Sequence, residues 1–188
     1  MRNLVIFSHP HLATSRVHRT LIDAIDDLPD VQIHHLEAVY SHGDIDTAAE
    51  QEACEHAARL IFQFPFYWFS SPPMLKLWMD EVLSFGWAFG KAQKLRGKPL
   101  QLIISSGGPE CAYTAAGYHH HTIEQLLSPF GAMAHLTGMV LQTPLILHGV
   151  PNIPGIDVSE SQLVQVQEFA QRYRALLLSP HSRVRALG

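Results

Sequence analysis

Residues 59–90 read RLIFQFPFYWFSSPPMLKLWMDEVLSFGWAFG. The apolar run Leu60-Ile61-Phe62, with Phe64, has the character of a buried strand, and Pro65 stops it. The aromatic stretch Phe66-Tyr67-Trp68-Phe69 follows. Ser71-Pro72-Pro73 then restarts the chain as a helix, with Ser71 expected as the cap and Pro72 in the first turn. Leu75, Trp78, Met79 and Val82 fall at i, i+3, i+4 and i+7, one apolar helical face. Strand, aromatic loop, helix is the order of an open α/β sheet, in which flat ligands lie against loops leaving the C-terminal ends of strands. Consecutive aromatics more often form core than site. Here Pro65 and the Ser-Ser-Pro-Pro run hold them out of regular structure, and an aromatic surface loop needs a planar ligand or another subunit.

Upstream, Leu4-Val5-Ile6-Phe7 reads as a first buried strand, ended by Ser8-His9-Pro10. Ser15 is a plausible cap for a helix with Val17, Leu21, Ile25 and Leu28 on one face. A polar loop leading into a helix N-terminus suits phosphate, because free N–H groups and the helix dipole face the anion; Arg16, His18 and Arg19 would add charge. No G-x-G-x-x-G and no Walker lysine is present, and most capped first helices bind nothing. Residues 31–37 read as a more polar edge strand. Residues 48–58 read as a short helix whose acidic residues make a solvated face.

Downstream, residues 100–105 form the next buried strand, ended by Ser106-Gly107-Gly108-Pro109. Glycines there let a ligand approach the backbone closely; an ordinary turn accounts for them equally well. After His119-His120-His121, Thr122 and Gln125 make a capping-box pattern, and Pro129-Phe130-Gly131 should kink or break the helix that follows. Residues 140–147 read as a fifth strand, with Pro144 marking an edge. Leu163, Val166, Ala170, Tyr173 and Leu177 line a closing amphipathic helix. The alternation predicts a three-layer α/β sandwich with a five-stranded parallel sheet in the order 2-1-3-4-5, one domain over residues 1–178 with a loose tail at 179–188. That order brings the loops after strands one, three and four together at one edge.

The chain has 188 residues, 47% hydrophobic and 16% charged, with a formal net charge of −4. Mild acidity argues against nucleic-acid binding. Cys54 and Cys111 make no close-spaced pair, so a disulfide framework is not expected and a reducing cytoplasm is the default. Adjacent histidines on a loop point in different directions, and no H-E-x-x-H or Cys/His spacing occurs, so no metal is expected.

Pro65, Trp68, Pro72, Leu75-Lys76, Trp78, Asp80, Gly86 and Ala88-Phe89-Gly90, with Ser8-His9-Pro10 and residues 106–113, resemble the NAD(P)H:quinone oxidoreductase family of flavodoxin-like flavoproteins. The resemblance runs over nearly the whole chain. It is nearest to the bacterial branch that includes the modulator of drug activity B and the ancillary proteins of glutathione-gated potassium efflux. It implies a flavodoxin-like fold, a homodimer and a bound flavin, FMN with FAD as the alternative, reduced by NAD(P)H. By motif, His9, Ser15, Arg16, Val17 and His18 would hold the flavin phosphate. Pro65, Phe66, Tyr67, Trp68 and Phe69 would lie along the ring, and Ser106, Gly107, Gly108 and Pro109 would donate backbone hydrogen bonds to its polar end. Tyr113 matches the family's active-site tyrosine. His119 most nearly matches its histidine, with His120 as the alternative. The family often has Asn at the place of His18 and Gln at the place of Tyr67.

Hydride transfer to a flavin builds negative charge at one end of the ring, which preorganised donors stabilise. The implied activity is two-electron, ping-pong reduction of a quinone. The rival readings are a regulatory subunit of a membrane potassium-efflux transporter, stationed at the inner face of the membrane, and a one-electron carrier. The loop after the first strand lacks the Thr/Ser-Gly-rich pattern of such carriers.

Overall fold

A computed structural model describes residues 2–151 and 157–179. The strands are β1 (Asn3–Phe7), β2 (Val31–His35), β3 (Arg59–Pro65), β4 (Pro99–Ser105), β5 (Val140–Leu141) and β6 (Leu145–Leu147). The helices are α1 (Arg16–Asp23), α2 (Leu36–Val39), α3 (Thr47–His56), α4 (Pro73–Val82), α5 (Ile123–Leu126), α6 (Ser128–Thr137) and α7 (Glu160–Leu178). All strand pairs are parallel, in the order β2-β1-β3-β4-β5, with β6 also on β4.

The central strands are apolar at nearly every position because both faces are covered. Leu4, Ile6, Leu60, Phe62, Phe64, Leu102 and Ile104 face a core closed by Cys54 of α3, Leu75, Trp78 and Val82 of α4, and Phe130 and Ala134 of α6. Val5, Phe7, Ile61 and Ile103 face the other core, closed by Val17 and Leu21 of α1 and by Val166, Phe169, Ala170, Tyr173 and Leu177 of α7. Ile25 and Leu28 are buried as expected, but in turns beyond the end of α1.

Four expectations change. Ser71 does not cap α4: Pro72 occupies that position without a side-chain bond, its ring having preset the backbone. The second strand stops at His35 and turns directly into α2. The fifth strand is split into β5 and β6, because Pro144 has no N–H to give the ladder; Gln101 Nε2 donates to the Thr143 carbonyl at 2.8 Å across the break. The acidic face of α3 is not wholly solvated. Glu50 is buried and accepts from Trp78 Nε1 (2.9 Å), the Tyr40 hydroxyl (2.8 Å) and His34 Nδ1 (2.9 Å), tying β2 and α3 to α4.

The expected capping box of Thr122 with Gln125 forms, a second one joins Ser159 and Gln162 at the start of α7, and Pro129 opens α6 after a break at Leu127. The expected tail, apart from Ser179, lies outside the described residues. No helix among the described residues is long and apolar enough to cross a membrane.

Candidate active site

Because the strands are parallel and in register, their C-terminal ends form one rim. Phe7 is level with His35 and Gln63, Pro65 with Ser105, and Ser105 with Leu147. The loops that follow β1, β3, β4 and β6 therefore share a crevice around the place where the chain order reverses.

In the loop after β1, Ser15 caps α1 by accepting from His18 N–H at 3.2 Å. The N–H groups of Arg16 and Val17 open the helix and have no intrahelical acceptor, which makes them donors for an anion. The Arg16 side chain is exposed; that of Val17 is core. A cleft of about 420 Å³ runs from this turn along the outer face of α1, lined by Thr14, Ser15, Arg16, Arg19, Asp23 and Leu163 of α7 among others. His9 and His18 supply no positive charge of their own. Burial, and then the neighbouring His11 and His35, lower the His9 pKa to about 4. Burial, and then His9, hold His18 well below the usual histidine range. The His18 ring points into the protein, where Nε2 meets Ser105 Oγ at 2.8 Å and Nδ1 meets Gln63 Nε2 at 3.4 Å. It braces the first turn of α1 against β3 and β4. His9 Nδ1 accepts from His11 N–H at 3.1 Å, so a neutral His9 carries its proton on Nε2 as a donor.

In the loop after β3, Phe66 turns into the core, 6.4 Å from the Tyr113 ring, and Pro65 is buried in the strand. Tyr67 is half-buried, with its ring 6.2 Å from His9. Trp68 and Phe69 stand at the tip of a turn closed by Ser70 N–H to the Tyr67 carbonyl (3.0 Å), with φ of 47° and 65°. Left-handed backbone at two bulky residues is costly, about 1–3 kcal/mol each, and such strain concentrates at functional sites. It leaves Trp68 92% exposed.

In the loop after β4, Ser106 N–H goes to the Leu147 carbonyl (2.7 Å) and Pro109 has no N–H at all. The expected donors are thereby reduced to Gly107 and Gly108. A Cβ on Gly108 would lie 3.1 Å from His119 Nε2 and from the Tyr113 ring, and 3.2 Å from the Tyr113 oxygen, so a larger residue would make these side chains shift by a few tenths of an ångström. The Tyr113 and His119 rings are 4.6 Å apart, and Phe69 reaches His119 at 5.0 Å. His120, with φ of 55°, is exposed. Of the two histidines left open by sequence, only His119 packs on Tyr113.

Two further residues emerge. Glu37 accepts from the Ser8 hydroxyl (2.7 Å) and His9 N–H (3.0 Å), fixing the β1 loop; the adjacency of strands one and two in the predicted order was the signal that residues just beyond β2 would meet it. His148, directly after β6, lies 5.3 Å from the Tyr113 ring.

The arrangement fits a flat, anionic cofactor: free helix N–H groups at one end, exposed aromatics in the middle, and at the other the glycine loop, where Gly108 packs on Tyr113 and His119. A model of the family described as having a flavodoxin-like fold matches residues 1–176. General stress protein 14 of Bacillus subtilis is 41% identical over 162 residues, 86% of this chain and 93% of its own. The uncharacterized NAD(P)H oxidoreductase YdeQ of the same organism is 40% identical, over 86% of this chain and 82% of its own. The glutathione-regulated potassium-efflux system ancillary protein KefF of Klebsiella pneumoniae is 37% identical, over 77% and 81%. Among solved structures, general stress protein 14 of Treponema denticola in complex with FMN matches with a TM-score of 0.87 at 36% identity, over 94% of this chain and 98% of that one. An NADPH-quinone reductase from P. pentosaceus matches at 0.78 and 31%, over 92% and 98%. The fold, the register of its loops and these likenesses agree: the chain belongs to the flavodoxin-like family of the Flavodoxin_2 model, whose members here include NAD(P)H oxidoreductases, quinone reductases and KefF ancillary proteins.

Proposed function

We propose that this chain is a flavin-dependent NAD(P)H oxidoreductase that holds FMN at the C-terminal rim of its sheet and delivers electrons two at a time to a quinone or similar small acceptor. The observation that carries the reading is the packing of Gly108 against Tyr113 and His119 in the loop after β4, at the C-terminal rim of the sheet. The FMN complex of a 36%-identical structure and the oxidoreductase relatives support it.

When bound, FMN would supply the hydride chemistry, taking two electrons from NAD(P)H and passing them on. The chain's own residues bind, orient and shield. The N–H groups of Arg16 and Val17, with the α1 dipole, hold the phosphate, and the neutral His9 adds an Nε2 donor. Trp68 and Phe69 cover the flat face and exclude water. Gly107, Gly108 and His119 present donors to charge that develops at the far end, each worth a few kcal/mol in a dry site. Tyr113 orients the acceptor and takes part in the same hydrogen bonding. A single unit over residues 1–178 working in the cytoplasm as a homodimer completes the reading, since exposed Trp68, Phe69 and Tyr118 beside the site leave apolar surface that a second copy would cover.

The KefF relatives support a second reading, in which the chain regulates a membrane potassium-efflux transporter from the inner face of the membrane. The deciding experiment is the visible spectrum of the purified protein reconstituted with FMN, before and after anaerobic NADPH. Bleaching by NADPH and recovery on adding a quinone is the expected result. A bound flavin that neither NADPH nor NADH reduces would move the assignment to the regulatory role, and failure to bind flavin would end both.

A further inference from the structure

The hydroxyl oxygens of Ser106 and Tyr113 lie 2.6 Å apart, and both residues are buried. One bond between two hydroxyls uses one proton, and the second must find another acceptor. For Ser106 that acceptor is the Gly108 carbonyl at 3.2 Å. This carbonyl already accepts from Gly149 N–H at 2.9 Å, so the serine proton is held there by the longer of two bonds to a shared oxygen.

Two proton arrangements therefore fit the same heavy atoms. In one, Ser106 donates to Gly108 and Tyr113 donates to Ser106, which leaves the phenol oxygen facing the site as an acceptor. In the other, Ser106 donates to the Tyr113 oxygen and the phenol proton turns to the site as a donor. The two differ by rotation of two hydroxyls; no proton changes oxygen and no heavy atom moves. A donation from Ser106 also polarises the phenol and strengthens the bond that Tyr113 makes outward.

We propose that Ser106 is a positioning residue whose hydroxyl sets the direction of the Tyr113 proton, so that Tyr113 accepts from a neutral ligand and donates as negative charge builds on it. This inference rests on the oxidoreductase reading above. It gives Ser106 a role through its side chain, its backbone N–H being engaged by Leu147.

The test is a double-mutant cycle on the FMN-loaded protein, with Ser106→Ala, Tyr113→Phe, both together, and Ser106→Thr. Single-turnover reduction by NADPH should slow about 3- to 10-fold in Ser106→Ala, the scale of one hydrogen bond, and return to within about 2-fold of wild type in Ser106→Thr. In the Tyr113→Phe background, Ser106→Ala should change the rate by less than about 2-fold. The midpoint potential of the bound flavin should become more negative in Ser106→Ala and show the same dependence on Tyr113. Additive effects in the cycle, or a lowered melting temperature with unchanged rate and potential, would overturn the inference while leaving the oxidoreductase reading intact. A wild-type protein that binds FMN but is not reduced defeats that reading and this role together, unless the potential still shows the coupling, in which case the positioning role stands alone.

Discussion

Glu50 offers a test of the fold with a magnitude that follows from its contacts. Its carboxylate joins three donors, of which Trp78 Nε1 is the most enclosed, since the Trp78 ring is fully buried while His34 and Tyr40 retain some access to water. Replacing Glu50 with Ala leaves the indole N–H without an acceptor, a cost of about 1–3 kcal/mol, and opens a void where the side chain stood. His34 and Tyr40 recover part of their loss through solvent, so the total should be about 3 kcal/mol. For a chain of this length that is a fall in Tm of roughly 6–12 °C. Glu50→Gln keeps the volume but turns an NH2 towards one of the donors, and should cost about 2 kcal/mol. Burial alone would raise the Glu50 pKa; the bonds from His34, Trp78 and Tyr40 outweigh it, and the net direction is downward. Its contribution is accordingly complete above the ordinary carboxylate range and lost as pH falls through the lowered value. Urea unfolding followed by tryptophan fluorescence at pH 7 and in acid measures both effects. A Glu50→Ala protein within about 0.5 kcal/mol of wild type at pH 7 would refute the idea that this carboxylate holds α3, β2 and α4 together.

Gly108→Ala should weaken FMN binding about tenfold or more by displacing Tyr113 and His119, while costing no more than about 2 kcal/mol of stability, because the clash is with side chains; equal affinity by fluorescence titration would count against the glycine cradle. Trp68→Gly should leave the melting temperature unchanged or higher, since it relieves left-handed strain at an exposed side chain, yet reduce flavin affinity; a loss of stability would show that the turn is not strained. His9 is held neutral by burial with a pKa of about 4, so the unfolded chain binds the extra proton between that value and about 6.5. Stability should fall as pH drops through this window, by up to about 1.4 kcal/mol per pH unit from His9, and His9→Asn should flatten the slope in denaturant titrations. Cys111 is exposed and should react with maleimide in the folded protein, whereas Cys54, buried and with its thiol pKa raised by burial, should react only on unfolding.

The parallel order and the meeting of three loops were legible because the strands are apolar runs punctuated by Pro65, Pro10 and Gly107-Gly108, and because connections of this kind leave few topologies. What a side chain does at a loop was less legible. Ser15 was readable as a cap because capping is local, whereas His18 is decided by Ser105 and Gln63, far away in sequence. Ser106 and Pro109 failed as donors for different reasons, one tertiary and one visible in the covalent structure of proline. Glu50 looked solvated because α3 has acids on several sides, and only the packing of Trp78 shows which of them faces inward.

The break between β5 and β6 also bears on how the molecule resists self-association. An uninterrupted outer strand beside β4 would offer a row of open N–H and C=O groups on which another chain could extend the sheet. Here two short strands flank a proline, and the Gln101 amide occupies the Thr143 carbonyl within the gap. That margin cannot template a continuous added strand, so extension of the sheet on this side is blocked and the unbroken β2 is left as the edge that could pair.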